Sequence, residues 1–167
     1  MTNTTPSQSE KAYRFRALHA NSDSFIIANA FDAGTARILT GMGFEALATS
    51  SGGFAGTLGR RDGGVTREEA LTRARAVVEA TDLPVSADLE NGFGHEPSAA
   101  TETVQRAAEA GLVGYSIEGF SGDPDLGFYD PDSTVARIAA SVSPSRSPSA
   151  ARTSSAATRI WTTPSHV

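Results

Sequence analysis

The chain has 167 residues, a formal net charge of −5 and 39% hydrophobic residues, which suits one soluble domain with its own core. The mild negative balance gives no reason to expect nucleic acid or an anionic membrane as partner. No apolar run approaches the ~18 residues of a membrane span, and the absence of cysteine excludes disulfides, thiolate metal sites and a cysteine nucleophile.

The polar start Met1-Thr2-Asn3-Thr4-Thr5 is no secretory signal, so a cytoplasmic location is expected. Residues 1–10 read as a polar, disordered arm. Lys11 to His19 reads as a helix with Phe15 and Leu18 spaced to pack on a neighbour, and Lys11 is the only lysine, which excludes Schiff-base chemistry in the core. Phe25-Ile26-Ile27-Ala28 is a first strand, apolar without alternation, as in sheets covered on both faces. Asp32 N-caps a helix from Ala33 to Met42, which Gly43 ends. Ala46-Leu47-Ala48-Thr49 is a second strand, followed by a glycine-rich polar loop from Ser50 to Gly64. Thr66-Arg67-Glu68-Glu69 is a capping box for a helix running to about Ala80.

The third strand starts at Leu83-Pro84-Val85 and carries the stretch around which the chain is organised, Ser86-Ala87-Asp88-Leu89-Glu90-Asn91-Gly92-Phe93-Gly94. Acids two apart at a strand end project to one side, and ligands gather at that end of α/β sheets. Carboxylates suit a hard cation such as Mg2+, but spacing alone leaves a solvated acidic turn equally open. A helix from Glu96 to Ala110 follows, then a strand Val113-Gly114-Tyr115-Ser116-Ile117 ending at Glu118. A loop leads to a further helix from about Pro131, with Val135 and Ile138 on one face. Four successive strand–helix units build either a doubly wound sheet or a (β/α)8 barrel.

Four motifs in this order resemble the isocitrate lyase/phosphoenolpyruvate mutase superfamily over Phe25 to about Val142: Asn29-Ala30-Phe31-Asp32-Ala33-Gly34, Leu58-Gly59-Arg60-Arg61-Asp62, the Ser86–Gly94 stretch, and Ser116-Ile117-Glu118. The resemblance implies a (β/α)8 TIM barrel and a Mg2+ ion, with Mn2+ as substitute, that holds a 2-oxo acid or phosphonate. The ion would stabilise the enolate formed as a C–C or P–C bond breaks or is transferred. It further implies Asp88 as direct metal ligand, with Asp62, Glu90 and Glu118 holding metal-bound water. Ser50, Ser51 and Gly52 match the loop that binds the substrate carboxylate. Taken alone, Asp62 reads as a turn residue and Glu118 as a strand-end acid paired with an arginine. The resemblance also implies a homo-oligomer at full length.

The loop after the fourth strand, Gly119-Phe120-Ser121-Gly122-Asp123-Pro124-Asp125, departs from the pattern. It lacks the Lys-Lys-Cys-Gly-His general-acid loop of the lyases and the lysine of the mutase and hydrolase branches. Glu90 stands where better-characterised branches carry aspartate, and the chain most resembles the carboxyphosphonoenolpyruvate phosphonomutase-like branch. His95 and His19 read as surface histidines.

A complete barrel needs about 250 residues. The expectation is therefore a partial (β/α)8 barrel of about four βα units over residues 11–142. Residues 143–167 contain no acid and no glycine, a disordered composition. They also admit another explanation. One codon assignment for Arg159 to Val167, read two bases on, spells Asp-Leu-Asp-Asp-Thr-Ile-Ala-Arg. The same shift allows Glu-Asn-Phe-Leu-Arg-Gly-Asn over residues 152–158, and together these match the superfamily's fifth strand and following helix. An out-of-frame tail on a truncated, catalytically inactive product is thus the alternative to a working lyase or mutase. A nucleotide-binding domain is weaker, because no Gly-x-Gly-x-x-Gly follows the first strand.

Overall fold

The computed structural model describes residues 5–142. Strands β1 (Ile27–Asn29), β2 (Ala46–Ala48), β3 (Val85–Asp88) and β4 (Gly114–Ser116) form one parallel sheet in the order β1-β2-β3-β4. Each strand lies beside its sequence neighbour, so the order never reverses as it does in a doubly wound sheet. Sequential parallel order is that of one side of a (β/α)8 barrel, and the partial TIM-barrel expectation holds. Register is set by pairs such as Ala28 with Leu47, Leu47 with Val85, and Ala87 with Tyr115.

The helices are α1 (Gln8–Ala20), α2 (Ala33–Gly41), α3 (Ser51–Thr57), α4 (Arg67–Glu79), α5 (Pro97–Glu109) and α6 (Pro131–Val142). Capping boxes open α2 at Asp32 and α4 at Thr66, as their sequences predict. A third box, missed in the sequence reading, opens α1: the Ser7 hydroxyl accepts from the Glu10 N–H while the Ser7 N–H donates to the Glu10 carboxylate at 2.7 Å. The helix therefore starts at Gln8, within the stretch expected to be a disordered arm.

Helix α1 covers the amino-terminal ends of the strands. Its Lys11 is buried and donates from Nζ to the Thr81 carbonyl at 2.7 Å, just before β3. Gln8 donates to the Ala108 and Leu112 carbonyls at 2.8 and 2.9 Å, just before β4.

The core lies between sheet and helices, where Leu47, Val85, Ala87, Leu89 and Ile117 meet Ala36, Leu71, Val77 and Ala107. Alternation along β3 sends Val85 and Ala87 into this core and leaves Ser86 and Asp88 half-buried on the other face; past the strand end Leu89 is buried in the core, and Glu90, in a turn at φ 47°, is half-buried. Asp88 therefore ends the strand, and the position of Glu90 is set by the turn that follows rather than by strand alternation.

Two further expectations fail. The Ser50–Gly64 segment contains a short helix, α3, because Phe54 and Ala55 bury themselves against Val65 and Ala70, and that packing outweighs the low helix propensity of its glycines. The expected apolar face of α6 is also wrong: Val135 is 66% exposed, and the buried stripe is Arg137 and Ser141. The expected out-of-frame tail, residues 143–167, lies outside the described residues.

Candidate active site

Asp88 closes β3, and its carboxylate is held from two sides. Ser51, the first residue of α3, donates to Asp88 Oδ2 from its backbone N–H at 3.0 Å and from its hydroxyl at 2.7 Å. The Glu90 N–H donates to Oδ1 at 3.1 Å. A carboxylate has about four acceptor positions, so three are used and about one remains for a cation. Ser50 caps α3, its hydroxyl accepting from the Gly53 N–H at 3.3 Å. Both serines expected to hold a substrate carboxylate therefore make internal contacts: Ser51 aims α3 at Asp88, and Ser50 starts the helix.

Gly52 and Gly53 are glycines for reasons of space. A Cβ on Gly52 would lie 3.2 Å from the carboxyl carbon of Asp62, and one on Gly53 would lie 2.7 Å from the Phe31 ring. The first approach brings Asp62, on the loop after α3, to the start of that helix. The second lays the loop after β1 across it.

Glu90 and Glu118 complete the acidic group. The Glu118 N–H donates to the Glu90 carbonyl at 2.8 Å, tying the end of β4 to the end of β3. Burial, followed by the charges of Asp62, Asp88 and Glu118, pushes the Glu90 carboxyl up to about 7. Partial desolvation and then Asp88 and Asp62 raise Glu118 in the same way. Among the described residues, none of these four acids forms a salt bridge. Among the described residues, Glu118 therefore has no arginine partner of the kind a strand-end acid could take.

Four neighbouring carboxylates are the oxygen donor chemistry of a hard divalent ion. Among the described residues, no three His, Cys, Asp or Glu groups form a ready cage of direct ligands. That arrangement fits Mg2+, which keeps several waters and takes one or two carboxylates, better than an ion needing an all-protein shell.

The adjoining cleft is lined by Thr49, Ser50, Ser51, Phe54, Arg73, Asp88 and Glu90, among others. Arg73 stacks on the Phe54 ring at 4.3 Å and donates to the Phe31 carbonyl, pinning the β1 loop to α3. The loop after β4 folds back through a bridge between Phe120 and Phe128. This returns Tyr129 to His95, whose Nδ1 lies 2.8 Å from the Tyr129 hydroxyl. Both histidines are exposed, as expected, with His19 in edge-to-face contact with Phe15 and Phe25. Sequence reading missed Arg73, Tyr129 and Arg137, since no local pattern marks an arginine whose partners are distant backbone carbonyls.

Parallel strands in barrel order, with carboxylates gathered at their carboxyl ends, define a TIM-barrel chain whose polar site lies where barrel sites lie. The family model for phosphoenolpyruvate phosphomutase matches residues 15–158. The chain belongs to this family, within the isocitrate lyase/phosphoenolpyruvate mutase superfamily of lyases and phosphonomutases. It is 38% identical over 113 residues to 2-methylisocitrate lyase of Halalkalibacterium halodurans, covering 67% of this chain and 37% of that one. It is 35% identical over 109 residues to 2,3-dimethylmalate lyase of Eubacterium barkeri, covering 64% and 37% respectively. Among solved structures, a Burkholderia cenocepacia J2315 protein provisionally described as a lyase/mutase superposes with a TM-score of 0.81 at 50% identity, covering 83% of this chain and 50% of that one. The chain thus spans half or less of the length of these relatives. Among the described residues, no helix is long and apolar enough to cross a membrane.

Proposed function

We propose that this chain carries the metal-binding side of an enzyme that cleaves or transfers a C–C or P–C bond in a 2-oxo acid or its phosphonate counterpart, through an enolate. The observation that carries this reading is the group of Asp88, Glu90 and Glu118 near the strand ends with Asp62 beside them, none in a salt bridge among the described residues, and with Asp88 fixed by Ser51. Asp88 would hold Mg2+ (or Mn2+) directly, and Asp62, Glu90 and Glu118 would hold it through water. When bound, the ion supplies Lewis-acid stabilisation of developing negative charge on the substrate oxygen. Ser51 keeps the Asp88 carboxylate oriented, and Gly52 admits the Asp62 carboxylate beside α3. The names of the lyase relatives support a small carboxylic acid as substrate class. A cytoplasmic location and a homo-oligomeric state belong to the same reading.

A second reading is favoured by the loop after β4, which has neither lysine nor cysteine. On that reading the chain binds the ion without turnover. Calorimetric titration with Mg2+, paired with a turnover screen of 2-oxo acids and phosphonates, separates the two. One ion per chain, lost in Asp88→Ala, together with product formation supports the enzyme. Binding without product supports the inactive form, and no binding overturns both.

A further inference from the structure

Arg137 is the largest fully buried side chain, 2% exposed, and no carboxylate pairs with it among the described residues. A buried cation without a counter-charge is unfavourable unless other groups engage it closely. Here the guanidinium donates to the carbonyls of Asn91 and His95, its central carbon lies 4.4 Å from the centroid of the Tyr129 ring, and its Nε is left without an acceptor. Helix α6 thus reaches past its neighbour α5 to grip the turn that follows Glu90.

That turn is strained. Glu90 has φ 47° and Phe93 φ 58°, left-handed values that side-chain-bearing residues rarely adopt, with Gly92 at φ 79° between them. Such a backbone persists only when its surroundings over-determine it. The Asn91 carboxamide accepts from the Phe93 N–H at 2.9 Å and donates to the Ser121 carbonyl and the Tyr129 hydroxyl. The Thr103 hydroxyl donates to the Gly92 carbonyl at 2.7 Å. Arg137 and Tyr129 close this net from the α6 side. The two terminal nitrogens of the guanidinium each reach one of these carbonyls, a fixed fork that an apolar side chain of similar size lacks.

On the footing that Asp88 and Glu90 face a divalent cation, we propose that Arg137 is a positioning residue: with Tyr129 it locks the Asn91–His95 turn and so holds the Glu90 carboxylate beside Asp88. A role confined to α5–α6 packing would change stability and leave ion affinity alone.

The test titrates Mn2+ into the full chain, following free Mn2+ by its paramagnetic resonance signal, in wild type, Arg137→Lys, Tyr129→Phe, Glu90→Gln and Arg137→Lys/Glu90→Gln. Thermal unfolding of the metal-free forms checks that each folds. Lysine keeps the charge but loses the fork, and Arg137→Lys should weaken Mn2+ binding by about 10- to 100-fold, the usual scale for residues supporting a metal ligand. Tyr129→Phe keeps the ring and should weaken it in the same direction. If Arg137 acts through Glu90, the double variant binds no worse than Glu90→Gln alone. Wild-type affinity in both single variants, or fully additive losses in the double variant, overturns the positioning role. If Arg137→Lys does not fold, Tyr129→Phe and its combination with Glu90→Gln decide by the same criteria. No binding by the unchanged chain overturns the metal reading and the positioning role together, an outcome distinct from wild-type binding that these substitutions leave intact.

Discussion

Ser51 gives both of its donors to one oxygen of Asp88, the backbone N–H at 3.0 Å and the hydroxyl at 2.7 Å. The first residue of α3 and the last of β3 are therefore one unit, and the short glycine-containing helix orients the central acid of the site. Hydrogen bonds to charged groups contribute about 1.5–3 kcal/mol each when well shielded. For this half-buried pair we expect Ser51→Ala to lower unfolding free energy by about 1–2 kcal/mol at neutral pH, measured by urea denaturation. The same substitution in an Asp88→Asn background should have a much smaller effect, since the charge that strengthens the bond is gone.

Gly52 and Gly53 should fail in different ways. Alanine at Gly53 meets the Phe31 ring at 2.7 Å, so Gly53→Ala should destabilise by about 1–3 kcal/mol, the usual range for overpacking. Phe31→Ala in the same chain should restore much of that loss. Alanine at Gly52 meets the end of a carboxylate on an exposed loop, which moves easily. Gly52→Ala should leave the thermal midpoint nearly unchanged and weaken Mg2+ binding by displacing Asp62. Thermal unfolding and Mg2+ titration on the same samples check both statements.

The metal-free chain should become less stable as pH rises from about 4.5 to 7. Glu90 is raised from 4.5 to about 7 in the folded chain, and Glu118 is raised as well, so across this window the folded state holds more protons than the unfolded one. Stability then falls with increasing pH. Glu10, Asp32, Glu68, Glu69 and Asp130 are shifted downward by their hydrogen bonds and act at lower pH, where they stabilise the ionised fold. Urea midpoints at pH 5.5, 6.5 and 7.5 should decline in wild type and flatten in Glu90→Gln. Saturating Mg2+ should reduce the slope, because an ion that binds only the folded chain favours the ionised carboxylates.

Lys11 anchors α1 at the end of the sheet remote from the acids, with Nζ 2.7 Å from the Thr81 carbonyl. Lys11→Ala strips that buried carbonyl of its donor and should cost about 1–3 kcal/mol. Limited proteolysis should then cut first within α1, with Mg2+ affinity unchanged. A parallel loss of affinity would show that α1 and the site are coupled.

By itself the sequence determined everything carried by short-range chemistry. Asp32 and Thr66 mark their helices because a cap and its N–H donors lie within one turn, and the same signal at Ser7 was present though overlooked. Alternation along β3 placed Asp88 on the face opposite the core, and the order of the four motifs pointed to the barrel superfamily. Tertiary structure alone decided what depends on groups far apart in the chain. Residues Ser51 to Thr57 are helical because Phe54 and Ala55 find Val65 and Ala70. Arg137 rather than Val135 is buried because carbonyls more than forty positions earlier await its guanidinium. Glu90 acquires its raised affinity for a proton only where folding removes water from it and brings the charges of Asp62, Asp88 and Glu118 near. Local pattern sets where a strand ends and which way its acids point, whereas desolvation and through-space charge exist only after the strands and loops have met.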